Sequence, residues 1–159
     1  MARRKKTGIE TVGVKGFFRL QIVDKKSKKI VGDSGYFQNQ ITNYGLNSCI
    51  VALPLKCANS IQASGMMLGS GTNPASDAVA LPLSNTDYWS SFGQSTVIAS
   101  LTARATQSFD GTLGAATLAN IGIFAASSGT LLAGKTFASS AITTDQDVNA
   151  TYELRYSTS

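Results

Sequence analysis

Residues 147 to 157 read DVNATYELRYS. Val148, Ala150, Tyr152, Leu154 and Tyr156 fall on one parity, and Asn149, Thr151, Glu153, Arg155 and Ser157 on the other. A period of two belongs to a β-strand with one buried and one wet face. A strand so late in the chain completes a sheet whose other members come from earlier segments, so the fold closes when this stretch docks. Glu153 and Arg155, on the polar parity, read as solvated or interfacial side chains rather than reactive ones.

The same alternation recurs upstream. Ser95 to Thr106 sets Val97, Ala99, Leu101, Ala103 and Ala105 against Ile98, Ser100, Thr102, Arg104 and Thr106, and reads as one strand. Ile61–Leu68, Leu113–Phe124 and Gly129–Phe137 are further strands, the later ones separated by turns at Asp110-Gly111 and Ser127-Ser128-Gly129. Near the front, Val14–Val23 places Phe18, Leu20 and Ile22 opposite Phe17, Arg19, Gln21 and Val23. Ile30–Gln38 returns as the second arm of a hairpin whose tip carries Lys25, Lys26, Lys28 and Lys29. These lysines offer an electrostatic contact, or a solvated tip that protects an edge.

Only NQITNYGLNSCIVAL, residues 39 to 53, changes period. Ile41, Tyr44, Leu46, Cys49, Ile50 and Leu53 approximate helical spacing, Thr42 or Asn43 can cap the start, and Pro54 can stop it. Gly45 weakens this helix, expected to lie across one sheet. Seven or eight strands with turn signals about every ten residues predict a mainly β fold, an antiparallel β-sandwich or jelly roll with one short helix. Residues 14–159 form a single domain on this reading, preceded by a basic arm at 1–13.

The bulk composition agrees. With 159 residues and 43% hydrophobic content, the chain suffices for one core. Only 14% of residues are charged, which leaves few groups for charge-based chemistry and suggests a surface covered in an assembly. The charge is uneven. Residues 1–33 hold ten bases against three acids, and the remainder four against six. The arm contributes Arg3, Arg4, Lys5 and Lys6, a pattern suited to an acidic protein surface, to nucleic acid without sequence preference, or to a neighbouring copy. No apolar run approaches the length that spans a bilayer, and no signal-peptide core is present, so a soluble chain without a membrane partner is expected. Cys49 and Cys57, if on one helix, stand about 12 Å apart and cannot bridge.

Histidine is absent, which removes the commonest general base and metal ligand and forbids Ser-His-Asp or Cys-His sites within one chain. No zinc set can be assembled, and no cofactor is implied. Gly69–Asn85 (GSGTNPASDAVALPLSN) is a long turn-rich loop, but no GK(S/T) follows its glycines and Asp77 and Asp87 lack a calcium-loop spacing. Asp110, Asp145, Asp147 and Glu153 read as solvated acids at turns or on a polar strand face. The expectation is a protein that is not an enzyme. Tyr88, Trp89 and Phe92, clustered in the long loop region, are the candidates for an aromatic contact surface, as in a carbohydrate-binding module.

The succession NQITNYGLNSCIVAL (39–53), MMLGSGTNPASDAVALPL (66–83) and ANIGIFAASSGTLLAGKTF (119–137), closed by a long alternating strand, resembles small β-rich structural proteins of tailed bacteriophages. In those a TNxGL helix, a glycine-rich GxGT loop followed by proline and an IGIF…LLA hairpin occur in that order within decoration or cement, tail and fibre modules. The resemblance spans roughly residues 38 to 158. It implies a non-enzymatic virion protein, assembled in the host cytoplasm, that self-associates as a homo-oligomer and binds other virion proteins such as major capsid or tail subunits. A small jelly-roll shell protein with a nucleic-acid-facing arm is the alternative. The basic leader and the lysine-tipped hairpin depart from the family pattern.

Overall fold

Alternating apolar residues on 14–23 and 147–157 require a common surface to bury against, and the computed structural model pairs these two segments over their whole length. It describes residues 12–52, 63–80, 88–91, 96–99, 102–109, 115–125 and 130–158. Their strands are β1 (Val12–Asp24), β2 (Ile30–Asp33), β3 (Phe37–Gln38), β4 (Gln40–Ile41), β5 (Ala63–Gly69), β6 (Tyr88–Ser91), β7 (Thr96–Ala99), β8 (Thr102–Phe109), β9 (Ala116–Ala125), β10 (Leu131–Ile142) and β11 (Gln146–Thr158), with one helix, α1 (Asn43–Ala52). The fold is mainly β and every pairing is antiparallel. One sheet runs β2-β1-β11-β8-β7, with β3 also on β1, and the other runs β4-β10-β9-β5-β6.

Both sheets supply one apolar cluster. Phe18 faces Tyr152, Leu20 faces Ala150 and Ile22 faces Val148 across β1 and β11, and the Phe18 and Tyr152 rings lie 4.9 Å apart. From the second sheet come Met66, Leu68, Ile121 and Ile123, all at or near zero exposure. The alternation of 147–157 therefore holds on its apolar side. β1 begins at Val12, two residues inside the stretch expected to be arm.

Three expected elements are corrected. Ile30–Gln38 is not one strand: it breaks at Ser34–Tyr36 into β2 and β3. Gly35 takes a left-handed φ of 62°, and its N–H is held by the Asp33 carboxylate. The break lets residues 37–41 pass from the first sheet, through β3, to the second, through β4. Ser95–Thr106 is not one strand: its described residues belong to β7 and β8, which pair antiparallel with Val97 opposite Ala103. The strand expected to end at Phe137 continues as β10 to Ile142, and between Thr136 and Ser140 β10 carries two more residues than β9 opposes. Such a bulge bends the strand.

The helix lies within the expected span. Thr42 caps it, its Oγ1 accepting from Gly45 N at 3.0 Å while its backbone oxygen accepts from Leu46 N. Gly45, the apparent weakness, is required by packing: a Cβ there would sit 2.1 Å from the Leu132 carbonyl oxygen of β10. Residues 70–80 form the described part of the expected loop. They are tied down where Asn120 Nδ2 donates to Thr72 O, Thr136 N donates to Asn73 Oδ1 and Leu131 N donates to Val79 O. Residues 1–11 of the arm, Pro54, Cys57, Phe92 and the turns at 110–111 and 127–129 lie outside the described residues.

Candidate functional site

The outward parity of the first sheet carries an unusual row. Register places Phe17 of β1 opposite Glu153 of β11, and Glu153 opposite Arg104 of β8. The neighbouring row brings Lys15 opposite Arg155, and the next brings Arg19 opposite Thr151. The chain leaving β2 then turns so that Tyr36 reaches this face. Its hydroxyl donates to Glu153 Oε1 at 2.9 Å.

Glu153 becomes the hub. Arg104 donates to Oε1 through Nε and Nη2, and Arg155 donates to Oε2 through Nε and Nη2, the two Nε contacts both at 2.9 Å. Only 3% of Glu153 is exposed, so the expectation of a solvated Glu153 is corrected. Outward parity does not guarantee water when a tyrosine and two arginines cover the position. Burial alone would push this carboxyl up, but the hydrogen bonds from Arg104, Arg155 and Tyr36 outweigh it and hold the group below its ordinary range. Both carboxylate oxygens are occupied by these donors.

The guanidiniums are fixed from above as well. Arg155 lies 4.2 Å over the Phe17 ring and 5.1 Å from the Tyr36 ring, and Arg19 lies 5.6 Å from Tyr36. Arg19 also makes a two-pronged pair with Asp33, through Nε to Oδ1 and Nη2 to Oδ2, and Gln21 donates to the same carboxylate. The hydrogen bond from Arg19, followed by those from Gly35 N and Gln21, holds the Asp33 carboxyl far below its usual range. Four bases, Lys15, Arg19, Arg104 and Arg155, thus share the face with two acids. The Arg104 and Arg155 side chains keep 36% and 41% of their surface exposed. The face is cationic, rimmed by aromatic rings and held by its own hydrogen bonds. It can accept carboxylates or other anions without first ordering its side chains.

The residues singled out in the sequence lie elsewhere. Lys25 donates to Thr144 O and sits 3.7 Å from Asp147, fastening the β1–β2 turn to the β10–β11 turn. Lys26, Lys28 and Lys29 are exposed at that turn, where Asp24 Oδ1 accepts from Ser27 N and Lys28 adopts a φ of 57°. Tyr88 and Trp89 are not in a loop: they occupy adjacent positions of β6, in register with Leu68 and Met67 of β5 at the edge of the second sheet. Arg3, Arg4, Lys5, Lys6 and Phe92 lie outside the described residues. Phe17, Arg19, Tyr36 and Arg104 are not singled out by the sequence, which reads Glu153 and Arg155 as solvated or interfacial. The sequence signal for the face is Phe17, an aromatic beside Lys15, Arg19 and Gln21 on the outward parity of β1. No protein-family model, curated protein or solved structure matches the chain.

Proposed function

We propose that the chain is a β-sandwich of jelly-roll type that serves as a non-enzymatic structural protein of a bacteriophage virion, decorating a capsid or joining tail components. Two antiparallel sheets around a shared apolar cluster support the sandwich reading, and the ordered motifs at 39–53, 66–83 and 119–137 support the phage reading. The observation that carries the attachment role is the face built on Glu153. Arginine and tyrosine are enriched at the energetic centres of protein interfaces, and side chains held rigid before contact lose little entropy on binding. The partner surface this face fits is acidic, on a neighbouring capsid or tail subunit or on a second copy of the chain. The exposed lysines at 26, 28 and 29 and the basic arm extend the same polarity.

The test is sedimentation of purified protein with particles of the phage that encodes it. Lys15→Glu combined with Thr102→Glu places two carboxylates on the row that flanks Glu153 without removing any of its partners. Attachment falls at least tenfold while thermal unfolding stays near wild type. Undiminished attachment of the double variant would refute the role of this face.

A further inference from the structure

The seam between the two sheets is only partly closed. Residues 37–41 bridge it at one end, pairing with Phe17 and Phe18 on one side and with Ala133 and Gly134 on the other. The lysine turn closes it at the other end, where Lys25 N donates to Asp145 O. Between these closures, among the described residues, no strand pairs with β10 beyond Gly134 on the side away from β9, and β2 is the edge of its sheet. The bulge at residues 137–139 bends β10 there. A groove of about 460 Å³ results, walled by Leu20, Ile22 and Phe37 from one sheet and by Leu118, Phe137 and Ile142 from the other. Small-molecule sites are clefts of about 300–1,000 Å³ with mostly apolar walls and a few polar groups that fix orientation.

Lys135 supplies such a group. It stands opposite Ile121, which in turn stands opposite Leu68, and both are fully buried in the core, so Lys135 is the edge member of an inward-facing row. It lines the groove and is half-buried. No hydrogen bond or ion pair joins its ammonium to any described residue, whereas the other charged group of the lining, Asp33, is committed to Arg19 and Gln21. A lysine on the rim of an apolar groove with no anion paired to it is a group that can orient an anionic ligand. One cation beside an occupied carboxylate matches a monoanion better than a doubly charged phosphate, which would bring surplus negative charge next to Asp33. Because both ends of the seam are shut, a continuous strand from another chain cannot thread it, and a compact ligand fits.

We propose that this groove binds an amphipathic monocarboxylate, a medium-chain fatty acid in chemical class, with its tail among Leu20, Phe37, Leu118 and Phe137 and its carboxylate on Lys135 Nζ. This site is independent of the attachment role proposed above. Decanoate and 1-decanol serve as the probes, measured by calorimetry on the full chain, with amide chemical-shift mapping to place them. Decanoate is expected to bind saturably with shifts concentrated on residues 20–22, 32–37 and 135–142. Lys135→Gln weakens decanoate about tenfold and leaves 1-decanol unchanged, as loss of one charge-assisted contact requires, and Lys135→Arg restores the carboxylate preference. Ala138→Trp, at the exposed mouth, weakens both probes. Absence of saturable decanoate binding, shifts located elsewhere, or a decanoate-to-decanol preference that survives Lys135→Gln would overturn the proposal. Lys135 would then serve only as an inward charge that keeps the β10 edge from pairing.

Discussion

Replacing Glu153 by glutamine keeps the volume of the hub and removes its charge. The carboxylate accepts five hydrogen bonds, three on Oε1 from Tyr36 and Arg104 and two on Oε2 from Arg155. In Glu153→Gln one oxygen becomes an NH2 group that meets a guanidinium donor to donor. Hydrogen bonds to charged groups are each worth about 1.5–3 kcal/mol, but the sum is not lost. The cost of burying the carboxylate disappears with it, and Arg104 and Arg155, already more than a third exposed, regain water. A net loss of about 1.5–3 kcal/mol follows, below the roughly 3–5 kcal/mol of a broken, fully buried pair. For a chain of this size that lowers Tm by about 4–9 °C. Circular dichroism melting at neutral pH reads it directly. The pH dependence gives a second handle: Glu153 has a depressed pKa in the folded state. Its stabilisation is complete above the unfolded value, about 4.3, and is lost as pH falls through the folded value. The gap between wild type and Glu153→Gln should therefore narrow as pH drops below about 4; Asp33, titrating in both proteins, cancels. A gap under about 0.5 kcal/mol at neutral pH, or one that stays constant into acid, would refute the hub.

Gly45→Ala should cost about 2 kcal/mol or more, read by urea denaturation, because the added methyl forces α1 away from the Leu132 carbonyl. Leu154→Asp places a charge on the inward parity between Gly16 and Ala103 and should abolish cooperative thermal unfolding; a wild-type melt would show the face assignment to be wrong. Removing residues 1–11, which leaves β1 whole, should preserve the melt and abolish attachment to particles, checked by sedimentation.

The apolar half of 147–157 was legible because burial and alternation are the same statement for a strand against a core. The polar half was misread for Glu153, since parity says which way a side chain points but not what lies over it. Its cover comes from Tyr36, delivered by a break at Ser34–Tyr36, and from Arg104, delivered by the register of a segment 49 residues away. Neither a register nor a crossing can be read from local periodicity. The division of 95–106 into β7 and β8 was hidden for a related reason: alternation continues through the segment with no phase break to separate the two strands. Gly45 shows the reverse case, where a residue unfavourable to the helix locally is required by a backbone contact made in three dimensions.

Where the protein sits on a phage particle is read by an electron cryomicroscopy reconstruction. The proposed attachment role predicts density for the two-sheet fold on the virion, with the face bearing Arg104, Glu153 and Arg155 against an acidic surface of a neighbouring subunit. Particles that lack this density, or that carry it with the face open to solvent, would contradict it.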